Sequence, residues 1–248
     1  MMRLLRERPP GSPAFDTAVS RVLLDRVARA EIEETFRLYR PVRIVAFGGQ
    51  DANEPGFPSA VAAARAAGFG VVLRLAGGRA AVFHEGTLAF GRAIPDDDPT
   101  ARTTARFDEM AGVMASALRR LGIDARIGAV PGEYCPGDYS VNARGATKIV
   151  GIGQRLVRGG AHVGGVIVAE RSDLVRAALI PVYDALGLDW DPDTTGSTAD
   201  ETGATWDDVE RAIVAELVDR YEIVEGSLDG DTLALARDLA PRYAPPVP

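Results

Sequence analysis

The 248-residue chain is poor in residues with reactive side chains: it has one cysteine, one lysine and two histidines. A single cysteine excludes an internal disulfide and suits a reducing compartment. The histidines, His84 and His162, lie far apart in sequence and have no Cys or His companions at ligand spacing. A structural zinc site is therefore not expected, and we predict that the protein holds no metal.

Long apolar runs are missing too. No segment approaches the ~18 residues of a membrane span, and the basic N-terminus MMRLLRERPPGSPAF lacks the apolar core of a signal peptide. The net charge of −7 disfavours a nonspecific binder of nucleic acid or of anionic membranes. These absences predict a cytoplasmic protein that binds neither nucleic acid nor membrane, with a chain long enough to bury a core without covalent staples.

Helix and strand signals follow one another irregularly. Apolar spacing and caps predict helices over residues 15–30, 59–68, 101–121, 172–186, 205–221 and 231–243. Runs rich in β-formers predict strands over residues 42–49, 70–78, 79–86, 87–94, 123–130, 139–145, 147–157 and 161–170. The regular alternation of a Rossmann sheet is missing, so the fold class is α+β, with a mixed, mostly antiparallel sheet packed with helices.

Three local features give further expectations. Thr205 and Asp208 have the spacing of a capping box at the start of a helix. Pro181 is expected to kink or break the helix that contains it. The polar stretch DPDTTGSTADETG, residues 191–203, is expected to be flexible.

The stretch GEYCPGDYSVNARGATKIVGIGQR, residues 132–155, contains both Cys135 and Lys148. A hairpin turn centred on residues 142–145 would place Lys148 across from Tyr139, and the Pro-Gly after Cys135 could turn that segment back over the hairpin. A thiolate is a strong nucleophile, and a nearby ammonium favours that form and can stabilise a developing oxyanion. The alternative is a small buried cysteine and a solvated edge-strand lysine, and residue types alone leave the two interpretations evenly balanced.

A second stretch, RLAGGRAAVFHEGTLAF, covers residues 74–90. Its adjacent glycines, Gly77 and Gly78, either close a turn or let backbone N–H groups approach a ligand. The stretch lacks the pattern of a P-loop, and its glycines do not open a helix as the dinucleotide fingerprint requires. His84 is placed at a strand end, where it either lines a pocket or lies on the surface.

Together these stretches resemble the lipoate–protein ligase and lipoyl/octanoyl transferase family. RLAGGRAAVFHEGTL resembles the family block R-x-S-G-G-x-A-V-x-x-x-x-G-x-L, in which the chain wraps the acyl ligand. EYCPGDYSV and TKIVGIGQR resemble the blocks C-P-G-x-Y-D and K-x-x-G-x-x-Q-R of the cysteine-dependent octanoyl or lipoyl amidotransferases. The resemblance spans about residues 15–220 and implies the catalytic-domain fold of lipoate ligases and biotin protein ligases.

The resemblance also implies residue roles. Cys135 matches the acyl-accepting nucleophile, and Lys148 matches the lysine that polarises the acyl carbonyl. Substrate-binding positions are assigned to Arg74, Gly77, Gly78, His84, Gly151, Gly153 and Gln154. The chain departs from the family at Arg79, where ATP-using ligases often have glycine, at Phe83, where many have histidine, and at Ser140, where aspartate is usual. These departures bear on the acyl donor and on adenylation.

The sequence predicts a single catalytic domain over residues 1–248, with a helical C-terminal portion over residues 188–248 and no large accessory domain. ATP-dependent ligases of the family typically add such a domain, so the length favours a transferase. The leading hypothesis is transfer of an octanoyl or lipoyl group through a Cys135 thioester. The donor would be an acyl carrier or glycine-cleavage H-type protein, and the acceptor a lysine on a lipoyl domain of a 2-oxoacid dehydrogenase complex.

The transferase hypothesis requires no cofactor. One alternative is an ATP-dependent lipoate–protein ligase, which would use ATP and Mg²⁺. Another is a non-catalytic homologue that binds acyl groups or lipoyl domains.

Overall fold

The structure is a computed structural model that describes residues 1–245. The strands are β1 (Met2–Leu5), β2 (Thr35–Tyr39), β3 (Ile44–Phe47), β4 (Gly70–Leu73), β5 (Ala81–Phe83), β6 (Thr87–Pro95), β7 (Ala125–Ile127), β8 (Val141–Ala143), β9 (Thr147–Val157), β10 (Gly160–Val168) and β11 (Ile223–Gly226). The helices are α1 (Pro13–Ala28), α2 (Phe57–Ala66), α3 (Thr103–Arg120), α4 (Ser172–Leu186), α5 (Thr198–Thr202), α6 (Trp206–Arg220) and α7 (Gly230–Leu239). None of these helices is long and apolar enough to cross a membrane.

The strands form two sheets. The large sheet has eight strands in the order β11-β1-β2-β6-β10-β9-β8-β7 and is antiparallel except for the pairs that β1 makes with β11 and β2. The small sheet has the order β4-β3-β5, in which β3 pairs in parallel with β4 and antiparallel with β5. The predicted mixed, mostly antiparallel sheet packed with helices is confirmed.

Apolar clusters hold the layers together. In the largest, α3 and α6 pack on one face of the large sheet, and α3 contributes Met110, Met114 and Leu118 at helical spacing. A second cluster joins the small sheet to α2 and α4, and a third packs α1 and α7 near β1 and β6. Packed helices and strands therefore enclose the space between the two sheets.

Several local expectations are tested by the structure. The capping box at Thr205 and Asp208 is present at the start of α6. Pro181 lies inside α4, which runs from Ser172 to Leu186. Of the two expected outcomes the break is therefore wrong, and the kink stays a prediction. Strands β1 and β2 were not predicted. The sequence around β2 is charged, and burial of its Arg37 becomes acceptable only because Asp16 pairs with it at 3.0 Å.

The expectation that residues 191–203 are flexible is wrong. The segment forms a 3₁₀ turn at Pro192–Thr194 and then α5, and Thr195 and Ser197 within it are buried. Hydrogen bonds join it to other elements: the Thr198 hydroxyl donates to the Ala169 carbonyl at 2.9 Å, and the Gly196 N–H donates to a carbonyl of β9 at 3.0 Å. Hydrogen bonds to distant backbone, which sequence composition does not reveal, fix the segment in place.

The predicted C-terminal portion contains α5, α6 and α7, together with β11, which joins the large sheet beside β1. Its last residues, 246–248, lie outside the described residues.

Glycines on the central strands allow close backbone approach, both between β9 and β10 and between β9 and loop 74–81. A Cβ added at Gly165 on β10 would lie 1.8 Å from the carbonyl oxygen of Gly151 on β9. A Cβ added at Gly153 would lie 3.1 Å from Ala76, Arg74 and the Gly77 carbonyl oxygen. Because these positions have no side chain, the strands and loop 74–81 lie close together and space remains for a cavity.

We expect Gly165→Ala to lower the free energy of unfolding by about 3 kcal/mol or more, because the added methyl overlaps backbone that cannot rotate away. Gly112→Ala in α3 is the matched control: its Cβ meets nothing within 4 Å, and alanine favours a helix by up to about 1 kcal/mol. Urea denaturation of both variants measures the difference. Equal stabilities would contradict the close approach of β9 and β10.

Candidate active site

A cavity of about 490 Å³ opens between the two sheets. Its wall is formed by loop 74–81, loop 134–140, the start of α3, and strands β9 and β10. Apolar side chains such as Phe83, Phe107 and Val166 make up much of the lining. A smaller cavity of about 90 Å³ shares Arg74, Phe83 and Gly165 with it. The apolar lining of the larger cavity suits an extended acyl chain.

The predicted site residues meet at the large cavity, with one exception. Those on its wall are Arg74, Gly77, Gly78, Cys135, Lys148, Gly151, Gly153 and Gln154. His84 lies elsewhere, fully buried, where its Nδ1 accepts a hydrogen bond from the Gly86 N–H at 3.0 Å. The structure does not place His84 in the substrate pocket, because Phe83, one residue earlier, faces the cavity instead.

Neither histidine supplies charge to the site. Burial lowers the pKa of His84 to about 4, and burial also lowers the pKa of His162 to about 4. Both rings are therefore neutral near pH 7.

Cys135 is held in an unusual backbone conformation, with a φ of 43°. This left-handed region is uncommon for a residue with a side chain and persists only where neighbouring contacts enforce it. One such contact is the Cys135 N–H, which donates to the Tyr183 hydroxyl at 2.9 Å, while that hydroxyl donates to the Ala80 carbonyl at 3.1 Å. Tyr183 on α4 thus ties the cysteine loop to the loop that contains the paired glycines.

The sulfur of Cys135 faces hydrogen-bond donors from loop 74–81. The backbone N–H of Arg79 donates to Sγ at 3.2 Å, and the Arg74 guanidinium donates from 3.7 Å. Both donors are placed to hydrogen-bond with the sulfur when it acts as a nucleophile. Gly78, with a φ of +110°, lies against the sulfur, and a Cβ there would come within 2.8 Å of Sγ. The close approach of loop 74–81 to the sulfur therefore requires glycine at this position.

Lys148 is 1% exposed, and its ammonium group is fully engaged. It donates to Glu133 Oε1 at 3.0 Å, to the Tyr134 carbonyl at 3.0 Å and to the Cys135 carbonyl at 2.8 Å. The lysine is thus directed at the backbone of the cysteine, whereas the guanidinium of Arg74 lies beside the sulfur. The expected pairing across from Tyr139 is wrong: Lys148 pairs with Asn142, because the turn between β8 and β9 lies at residues 144–146 and places Ala143 opposite Thr147.

Glu133 is a member of the site that the sequence did not predict. Its side chain is fully buried, and its carboxylate accepts hydrogen bonds from the loop and from Lys148. The signal in the sequence was weak: an acidic residue two positions before the cysteine, in a chain whose single lysine requires a partner if it is buried.

Gln154 connects the cavity floor to α3. Its side-chain amide donates to the Thr103 carbonyl at 2.8 Å, and its Oε1 accepts from Arg106 Nε at 3.0 Å. Its carbonyl accepts from the Gly77 N–H at 3.3 Å. Gln154 therefore positions loop 74–81 over the strands.

Residues 12–180 match the family model of the lipoyl protein ligase A/B catalytic domain. The chain belongs to this family. It is 31% identical over 179 residues to an octanoyl-[GcvH]:protein N-octanoyltransferase of Geobacillus kaustophilus, an alignment that covers 71% of this chain and 63% of that protein. It is 25% identical over 232 residues to a lipoyl-[GcvH]:protein N-lipoyltransferase of Listeria monocytogenes, covering 92% of this chain and 80% of that protein. The alignment with the Geobacillus protein thus spans less than two thirds of that protein's length.

Solved structures share the fold of this family member. A putative lipoate protein ligase from T. acidophilum with bound lipoic acid superposes with a TM-score of 0.74 at 21% identity, covering 97% of this chain and 95% of that chain. A lipoate-protein ligase A bound with ATP gives a TM-score of 0.76 at 21% identity, covering 97% and 94%. The predicted catalytic-domain fold of lipoate ligases is confirmed.

Gly78→Ala is expected to slow alkylation of Cys135 by iodoacetamide about tenfold, because the methyl group would push the sulfur away from the Arg79 N–H and hydrogen bonds to a charged group are worth about 1.5 kcal/mol or more. Gly77→Ala is the control, since a Cβ at Gly77 meets nothing within 4 Å. Cys135 is the chain's one thiol, so intact mass reports its modification directly. Equal rates in the two variants would show that Gly78 does not set the sulfur's position.

Proposed function

We propose that this chain is an acyltransferase that carries an octanoyl or lipoyl group as a thioester on Cys135 and passes it to a lysine of a lipoyl domain. The observation that carries the proposal is a thiol on the wall of an apolar cavity of about 490 Å³, where its sulfur accepts from a backbone N–H and lies beside a guanidinium. The names of the relatives support it, since they describe transferases that use GcvH as the acyl carrier.

In the first half-reaction the Cys135 thiolate attacks the acyl carbonyl carbon of the donor. A carbon–sulfur bond forms, the bond to the donor's nitrogen or sulfur breaks, and the leaving group takes up a proton. In the second half the acceptor's lysine amine attacks the thioester, a carbon–nitrogen bond forms and the thiolate is released. The amine gives up one proton, which balances the proton taken by the first leaving group.

The oxyanion of each half-reaction needs donors close to Sγ. The Arg79 N–H is already aimed at the sulfur, and Lys148 lies on the cavity wall beside it. All three donors of the Lys148 ammonium are used by Glu133, Tyr134 and Cys135. Contact between Lys148 and the acyl oxygen would therefore require exchange of one backbone carbonyl for the substrate oxygen.

The acyl tail would run from Cys135 past Phe83 and Gly165 into the smaller cavity, which these residues share with the larger one. The donor is proposed to be a glycine-cleavage H-type protein, or an acyl carrier protein, and the acceptor a lipoyl domain of a 2-oxoacid dehydrogenase complex. A free thiol in the catalytic role suits the cytoplasm, where it stays reduced.

The second candidate function, ATP-dependent ligation, fits the site less well. Arg79 replaces the glycine of ATP-using ligases, and its guanidinium is bound to Glu54 at 2.8 Å and Asp51 at 3.3 Å. The cavity cations in the described residues, Arg74 and Lys148, donate to protein acceptors. The charges of Arg79 and Lys148 are already paired with carboxylates, so among the described residues Arg74 is the cavity cation left without a carboxylate partner for a nucleotide phosphate. We derive no step through ATP.

Incubation of the protein with octanoylated carrier protein, with and without ATP, is expected to give an octanoyl adduct that hydroxylamine removes. Cys135→Ala should form no adduct and no acylated lipoyl domain, because the nucleophile is missing. Intact-mass spectrometry follows both products. Undiminished transfer by Cys135→Ala would refute the proposal; product from free acid only with ATP would identify a ligase, and binding without turnover a non-catalytic protein.

Lys148→Met is expected to slow formation of the same adduct about 100-fold or more, since it removes a buried positive charge beside the reacting carbonyl. Arg155→Ala, an exposed cation on the same strand, is the control for general loss of charge. Circular dichroism should first establish that both variants fold, because Glu133 becomes an unpaired buried carboxylate in the lysine variant. A folded Lys148→Met protein with an unchanged rate would remove Lys148 from the chemistry.

A further inference from the structure

We infer that Glu133 is a positioning residue of the transfer reaction: its buried carboxylate fixes the loop that presents Cys135 and holds the ammonium of Lys148 against that loop. The inference rests on the proposed function and extends it to a residue outside the predicted site.

The contacts of Glu133 all converge on the cysteine loop. Oε1 accepts from Lys148 Nζ at 3.0 Å, from the Ser140 hydroxyl at 2.6 Å and from the Gly137 N–H at 3.1 Å, and Oε2 accepts from the Val130 N–H at 3.0 Å. One carboxylate thus joins the two ends of the loop, residues 130 and 140, to its middle and to β9. A buried carboxylate is tolerated only when it is paired and hydrogen-bonded in this way.

The network acts on Cys135 through its backbone. Lys148 donates its other two hydrogen bonds to the carbonyls of Tyr134 and Cys135, the two residues that follow Glu133. Cys135 therefore has its carbonyl fixed by Lys148 on one side and its N–H fixed by Tyr183 on the other. These contacts hold the residue at its φ of 43° and direct Sγ towards the Arg79 N–H.

The charge of Glu133 matters as well as its shape. Glutamine has the same length, but its amide nitrogen is a donor and would face the N–H of Val130 or the donors around Oε1. The ammonium of Lys148 would also lose its ionic partner while it remains buried. Keeping it at the Cys135 carbonyl would then cost more free energy. Glu133→Gln thus tests the carboxylate with little change in volume.

Ser140 offers a rescue. Its hydroxyl lies 2.6 Å from Glu133 Oε1, so an aspartate at position 140 would place a carboxylate beside the same ammonium. In the double variant Glu133→Gln/Ser140→Asp, the side-chain amide introduced at position 133 can donate to the new carboxylate, and the charge of the network is restored. Glu216→Gln on α6 is the matched control, a buried carboxylate bound by Arg120 and Arg220 away from the cavity.

The test measures three quantities on the full chain: the rate of acyl-adduct formation from octanoylated carrier protein, the rate of Cys135 alkylation by iodoacetamide, and the melting temperature. Glu133→Gln is expected to slow both reactions about tenfold or more, as expected for losing charge-assisted hydrogen bonds, and the double variant is expected to recover most of that loss. Glu216→Gln is expected to lower the melting temperature without slowing either reaction.

Wild-type rates for folded Glu133→Gln would overturn the inference, and so would a folded double variant that stays as slow as the single one. If Glu133→Gln does not fold, the double variant decides alone. The alkylation rate needs no acyl substrate, so it distinguishes failure of the proposed function from failure of the positioning role. A wild-type protein that forms no adduct defeats the proposed function, whereas unchanged alkylation in Glu133→Gln defeats the positioning role.

Discussion

The ammonium of Lys148, buried against the carboxylate of Glu133, is the interaction on which the candidate site depends. Taking both charges out of water costs several kcal/mol per ion, and this cost is offset only when every donor and acceptor finds a partner. The ammonium finds them in the Glu133 carboxylate and in the carbonyls of Tyr134 and Cys135. The hydrogen bonds that this one ammonium needs therefore fix the course of the loop that carries the nucleophile.

Close backbone approach is the second constraint. Gly78 lets loop 74–81 touch the sulfur, and Gly165 lets the backbone of β10 approach that of β9. The cavity lies above these two strands. The donors that face the sulfur come from this loop: the N–H of Arg79 and the guanidinium of Arg74. Positive charge at the thiol is thus supplied by an arginine, while the lysine acts on the backbone of the same residue.

The family shares one fold among members whose names describe ligases and transferases, so the fold alone does not separate the activities. What separates them in this chain is local. A cysteine stands on the cavity wall, and Arg79 has its guanidinium fixed by Asp51 and Glu54 beside the glycine pair. The cysteine supports an enzyme-bound thioester. The pairing of Arg79 leaves less positive charge free to bind phosphate.

The sequence by itself determined the fold class, the order of most helices and strands, and the family, because apolar periodicity and short motifs are local properties of the chain. The resemblance to the family also assigned eight residues that line the cavity, together with His84, which does not line it. Only the tertiary structure decided how they meet. The turn between β8 and β9, at residues 144–146, placed Lys148 opposite Asn142, and burial gave that lysine Glu133 as its partner. The Thr198 hydroxyl and the Gly196 N–H found distant carbonyls, which ordered a segment expected to be flexible. Such pairings form between residues far apart in sequence, and the need to satisfy each buried polar group selects them only once the chain has folded.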